Sequence, residues 1–180
     1  MIPWECLGQS SVPGNDEELW LYRRDDEFSI RIGRFELMNS RTHSSEDALA
    51  ELVCDRLAEC PNPLLLIGGL GMGFTTASAL RRLGQSALLV VAELLPAVVA
   101  WNQGVLGPLT GHPLRDERVS LRVVDVAEIL RVEVDRYDAI LLDVDNGPEA
   151  LINLTNTWLY GVAGLKAARK ALRPCGVLAV

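Results

Sequence analysis

Leu64-Leu65-Leu66-Ile67-Gly68-Gly69-Leu70-Gly71-Met72-Gly73 is a continuous apolar run that opens into closely spaced glycines. Four apolar residues without alternation predict a strand buried on both faces, as in a parallel sheet covered by helices. The glycines let the backbone approach a ligand closely, and a helix predicted from Phe74 would begin with free N–H groups. Gly68, Gly69, Gly71 and Gly73 are therefore candidate binding residues, set against the plainer reading of a tight strand-to-helix turn. The spacing departs from the dinucleotide pattern, because GxGxxG would need glycine where Phe74 stands.

Downstream of this stretch the chain alternates. Strands are predicted at 87–92, 119–124, 139–142 and 177–180, and helices at 74–83, 97–106, 126–130 and 157–172. Apolar strands separated by helices indicate an α/β fold, a three-layer sandwich around a mostly parallel sheet. Upstream, Ser44-Ser45-Glu46-Asp47 has the hydroxyl-then-acid spacing of a capped helix start, and Leu49, Leu52, Val53 and Leu57 recur at helical spacing, so a helix is expected over 46–59. Leu19–Tyr22, Phe28–Ile32 and Phe35–Met38 read as short antiparallel strands. Residues 1–17 carry Pro3, Pro13, Gly14 and Asn15 and read as a loose arm without chemistry. The division expected is an arm and small β segment over 1–45, then an α/β unit over 46–180.

The 180 residues hold 17 basic and 24 acidic side chains, a net charge of −7. That balance disfavours a nucleic-acid partner, which would demand a basic face. No apolar run approaches a membrane span and the N-terminus lacks signal-peptide character, so the expectation is a cytoplasmic protein with no membrane partner. Cys6, Cys54, Cys60 and Cys175 form no CxxC pair, which indicates reduced, mostly structural thiols and no metal site.

Further candidates fall at predicted strand ends. Glu93 closes the strand after the glycines, where an acid can accept both ribose hydroxyls of a nucleoside. Asp125 follows the next strand, where it could bond an adenine amino group, cap a helix, or both. Asp143 and Asp145 follow the buried strand Tyr137–Leu142; two neighbouring carboxylates can hold one another's pKa up and supply a base, although an acidic turn led by Asn146-Gly147-Pro148 is the competing reading.

With these segments in hand, residues from about Pro63 to Val180 resemble the spermidine/spermine synthase (polyamine aminopropyltransferase) family. That family uses the Rossmann-like fold of class I S-adenosylmethionine-dependent methyltransferases. LLLIGGLGMG matches its glycine motif, VVAEL its ribose-binding strand end, VVDVAEIL its adenine-site Asp and YDAILLDVDNGP its acidic loop. The stretch from Trp158 to Leu178 is similar to its next helix and strand, and the short strands between 18 and 38 resemble a reduced form of its N-terminal β-domain. The resemblance implies decarboxylated S-adenosylmethionine or S-adenosylmethionine as co-substrate, with no metal. It further implies Asp143 as base, Asp145 as a second carboxylate near the amine, Glu93 on the ribose and Asp125 on the adenine. A small-molecule amine or another small acceptor is the implied partner, and a homodimer is left open.

The departures are specific. Gly71 stands where the family's GGGDGG motif carries the Asp that grips the cofactor's amine, and Ile67 stands where methyltransferases place an acid. The family's Tyr-His-Glu segment is not reproduced in Arg41-Thr42-His43-Ser44-Ser45-Glu46-Asp47; His43 and Glu46 are either distant stand-ins or a surface histidine and a capping acid. The leading expectation is a spermidine synthase-like transferase. A methyltransferase of unknown small acceptor and a catalytically weak nucleoside-binding protein are the alternatives, and an NAD-dependent dehydrogenase fits less well. Five parallel strands are predicted where the family's sheet has seven, so the chain reads as C-terminally incomplete by roughly 40 to 60 residues.

Overall fold

The structure is a computed structural model that describes residues 2–12, 17–144 and 158–180. Strands β1 (Glu5–Ser11), β2 (Glu18–Arg24), β3 (Glu27–Ile32) and β4 (Phe35–Asn39) form an antiparallel sheet in sequential order. Helix α1 (Ser44–Arg56) then leads into β5 (Leu64–Gly68), α2 (Phe74–Arg82), β6 (Leu88–Glu93), α3 (Pro96–Gln103), β7 (Val119–Val123), α4 (Val126–Val132), β8 (Tyr137–Leu142), α5 (Val162–Ala171) and β9 (Leu172–Ala179). These strands make a second sheet in the order β7-β6-β5-β8-β9, parallel throughout. The strand order reverses between β5 and β8, which opens a crevice at the carboxyl edge. This is the α/β Rossmann-like architecture read from the sequence, with the antiparallel segment ahead of it.

Successive side chains of a strand point to opposite faces, so the unbroken apolar run of β5 feeds both outer layers. Leu65 and Ile67 join Leu89 and Val91 in a core with Ala50 and Val53 of α1, Ala79 of α2 and Val98 of α3. Leu66, Val90 and Ile140 face the other way, onto Ile129 and Leu130 of α4 and Ala168 and Ala171 of α5. Each fully buried Leu or Ile contributes about 2 kcal/mol relative to exposure. The antiparallel sheet shares the first of these cores through Leu19, Leu21, Ile30 and Ile32. It meets the larger unit again at Gly8, where a β-carbon would lie 2.7 Å from Nε1 of Trp101 on α3.

Three local expectations change. The supposed loose arm contains β1, whose Glu5–Ser11 pairs with β2; its partly buried positions do not alternate, so no strand period marks it. Helix α1 begins without a side-chain hydroxyl cap, because His43 occupies the N-cap and Ser45 Oγ donates to Glu46 instead (2.6 Å). Strand β9 starts at Leu172 rather than 177, and its pairing with β8 is irregular between Tyr137 and Ala139. None of the described helices is long and apolar enough to cross a membrane.

Arg118 locks the entry to β7. It donates from Nε and Nη2 to the two carboxylate oxygens of Asp116 (2.9 and 2.8 Å) and from Nη1 to the carbonyl of Leu83 just past α2 (2.9 Å). The guanidinium bonded to it holds the Asp116 carboxyl below the usual range. A depressed carboxylate contributes stability above its ordinary pKa and loses it as pH falls through the folded-state value. Asp116→Asn should therefore lower stability by about 2 kcal/mol at neutral pH. In urea melts the gap to the wild type should close below the ordinary carboxylate range.

Candidate functional site

The carboxyl ends of β7, β6, β5 and β8 deliver Asp125, Glu93, the glycine turn and Asp143 in that spatial order. With strands about 4.8 Å apart, three steps place Asp125 and Asp143 roughly 14 Å apart along the edge. A cavity of about 440 Å³ lies over them and is roofed by the antiparallel sheet and the start of α1, through Ile32, Leu37, Met38, Asn39, Thr42, Ser45 and Glu46. Val12, assigned to the inert arm, also lines it. A more open depression is lined by Arg24, Asp25, Asp26, Glu27 and Arg41, and both of its arginines pair with Glu27, each at 2.8 Å.

The glycine turn is shaped by a crossing. At Gly69, φ is +92° and a β-carbon would sit 2.1 Å from the carbonyl oxygen of Asp143, so only glycine lets the end of β5 pass the end of β8. The Asp143 amide in turn donates to the Gly68 carbonyl at 2.8 Å. Gly73, at φ +87°, starts α2. Gly69 and Gly71 line the cavity, whereas Gly68 and Gly73 do not.

Glu93 is 7% exposed, and it holds this turn. Its Oε2 accepts the Leu70 amide (2.9 Å) and its Oε1 the Leu95 amide (2.8 Å). Burial pushes its pKa up, against the opposing pull of those amides. The Leu70 and Leu95 amides are thus used by the protein itself, and Glu93 also lines the cavity. Asp125 caps α4, accepting the Ala127 amide at 2.8 Å, and lines the cavity as well.

Asp143 is bonded by Thr75 of α2, whose hydroxyl donates to its Oδ2. Burial raises the Asp143 pKa, the Thr75 bond lowers it, and the charge of Glu46 raises it further, leaving it above the ordinary value. Such a carboxylate takes up a proton more readily than a solvated one. Asp145 lies outside the described residues. Of the two residues that act on Asp143, one was missed in the sequence and the other left undecided. Thr75 was hidden because only the fold aligns α2 with the end of β8. Glu46, left between a stand-in and a cap, makes no cap and lines the cavity. His43 instead stacks on Phe74 (4.1 Å between centroids) and bonds Asp47 (2.8 Å).

Two variants test this geometry without reference to activity. Thr75→Val removes the hydroxyl that favours the charged form, so Asp143 should titrate higher still in a carboxyl-carbon NMR titration. Gly69→Ala adds a β-carbon both to a positive-φ residue and into a carbonyl, and should cost about 3 kcal/mol or more by chemical denaturation.

No protein-family model and no curated protein matches the chain. Solved structures do share its fold. Spermidine synthase from Thermotoga maritima is similar at a TM-score of 0.75 and 18% identity, over 96% of this chain and 54% of that one. A spermidine synthase in complex with the transition-state analogue AdoDATO gives 0.70 and 17%, over 93% and 53%. A probable spermidine synthase from Corynebacterium glutamicum ATCC 13032 gives 0.64 and 16%, over 95% and 62%. The chain thus spans between half and two-thirds of the length of each. At these identities what is shared is the architecture: the chain has a spermidine synthase-like fold, matched over 96% of its length.

Proposed function

We propose that the chain binds an adenosyl sulfonium whose tail ends in an amine, decarboxylated S-adenosylmethionine, and acts as a spermidine synthase-like transferase on an amine acceptor. The observation that carries this reading is the charge of the cavity. Among the described residues lining it, the charged ones are Glu46, Glu93, Asp125 and Asp143, with no Lys, Arg or His. A sulfonium with an ammonium tail, and a protonated amine acceptor, are cations throughout. Intact S-adenosylmethionine adds a carboxylate that would meet four acids and no basic side chain.

The order along the sheet edge supports the assignment of parts. Asp125 takes the adenine amino group and Glu93 the ribose hydroxyls, Gly69 and Gly71 underlie the sulfonium, and Asp143 with Glu46 faces the amines. Glu46 then supplies the negative charge that Gly71 lacks, from the opposite wall. Asp145 is retained as a second carboxylate near the acceptor. Asp143, with its raised pKa, accepts a proton from the acceptor's ammonium. The freed nitrogen forms a C–N bond to the aminopropyl carbon as the C–S bond breaks, and the electron pair passes to sulfur, releasing 5′-methylthioadenosine. Orientation and charge stabilisation supply the rate.

Calorimetric titration tests the reading. Decarboxylated S-adenosylmethionine and 5′-methylthioadenosine should bind, with the intact cofactor at least about tenfold weaker than its decarboxylated form. Equal affinity for the intact form would favour the methyltransferase alternative, and stabilisation by NAD alone would remove the adenosyl-sulfonium reading. Glu46→Gln should weaken the decarboxylated cofactor roughly three- to tenfold and leave 5′-methylthioadenosine, which has no ammonium, unchanged. Asp143→Asn should abolish spermidine formation from putrescine, read by mass spectrometry, with little change in nucleoside affinity.

A further inference from the structure

Asn102 on α3 takes no part in the contacts assigned above, yet it is a polar side chain only 1% exposed. A buried amide is costly unless its groups are bonded. Its Nδ2 donates to two carbonyls, that of Gly71 at 2.8 Å and that of Val98, in its own helix, at 2.9 Å. The Val98 bond fixes the side chain against α3, so the Gly71 carbonyl is held by a group that is itself anchored. The neighbouring Leu70 amide is held by Glu93 at the end of β6. One strand and the helix after it thus grip adjoining parts of the turn with an acceptor and a donor, each matched to the polarity it meets.

The other end of the amide faces Gly73. Among the described residues, Asn102 Oδ1 has no hydrogen-bond partner, nor does Thr110 Oγ1, and a β-carbon on Gly73 would lie 3.0 and 3.1 Å from them. Gly71 lines the cavity but Asn102 does not, so the contact is made from behind the turn. The turn needs such a hold. Gly69, Gly71 and Gly73 all have positive φ, and glycine has little intrinsic preference between backbone basins, so the local sequence alone does not select this conformer.

We propose that Asn102 is a positioning residue for the adenosyl site: its amide clamps the Gly71 carbonyl away from the cavity and sets the conformation of the glycine turn on which the nucleoside lies, without touching the ligand. The role in affinity rests on the adenosyl reading; the clamp itself does not. Asn102→Asp keeps the shape but presents oxygen to the Gly71 carbonyl. Thr110→Val removes an unpartnered hydroxyl beside the same glycine and serves as the packing control.

In ligand-free protein, Asn102→Asp should speed amide hydrogen exchange at Gly71, Met72 and Gly73, while Thr110→Val leaves it at the wild-type rate. The affinity of Asn102→Asp for 5′-methylthioadenosine should fall on the order of tenfold to a hundredfold, well below its melting temperature, with Thr110→Val unchanged. In the wild type, which needs no variant to fold, 5′-methylthioadenosine should slow exchange of the Asn102 side-chain amide protons. Wild-type turn exchange and affinity in a folded Asn102→Asp would overturn the clamp, as would an Asn102 side-chain amide indifferent to bound nucleoside. A wild type that fails to bind the nucleoside at all overturns the adenosyl reading instead, and the ligand-free exchange comparison still decides the clamp.

Discussion

The carboxyl edge of the parallel sheet is organised around one close approach, that of the Gly69 α-carbon to the carbonyl of Asp143. A side chain at Gly69 would push the ends of β5 and β8 apart. With glycine there, the Asp143 amide reaches the Gly68 carbonyl, and Asp143 itself comes under the first turn of α2, within reach of Thr75. The glycine turn is thereby folded back toward β6, where Glu93 takes the Leu70 amide. Glycines at three neighbouring positive-φ positions would leave the segment poorly determined by itself; the polar holds from β6 and α3 select one arrangement of it.

The antiparallel sheet supplies the other half of the cavity. Its apolar face merges with the core on one side of the parallel sheet, and its edge strand β4 brings Leu37, Met38 and Asn39 over the glycine turn. The turn after β4 then leads into α1, whose first residues carry Ser45 and Glu46 to the same space. Enclosure by a second, smaller sheet lowers the local dielectric, and this is why Asp143 and Glu93 both bind protons more readily than exposed acids. Among the described residues that line this space there is no basic side chain to partner a ligand's carboxylate.

Much of this was legible in the chain. The apolar run 64–67, the glycines after it, and acids at the ends of successive strands fixed the sheet edge as the place of interest, because strands of a parallel sheet end on one side and helices return the chain to the other. Glu93, Asp125 and Asp143 could be placed at the sheet edge because each is anchored to the strand before it, a relation local in sequence. The strand β1 was missed because its partly exposed residues lack the periodicity that a one-faced strand shows. Glu46 was ambiguous for a related reason: an acid in the first turn of a helix looks the same whether it caps the helix or leans into a cavity.

By itself, then, the sequence determined the parallel sheet, its covering helices, the glycine turn and the row of carboxylates at its edge, since hydrophobic periodicity and glycine placement act over a few residues. Tertiary structure alone decided that Thr75 and Glu46 converge on Asp143, that Asn102 reaches back to Gly71, and that the N-terminal strands roof the site. Those relations join residues far apart in the chain, through side-chain reach and charge, and only the packing of the two sheets into one core brings them within hydrogen-bonding or electrostatic range.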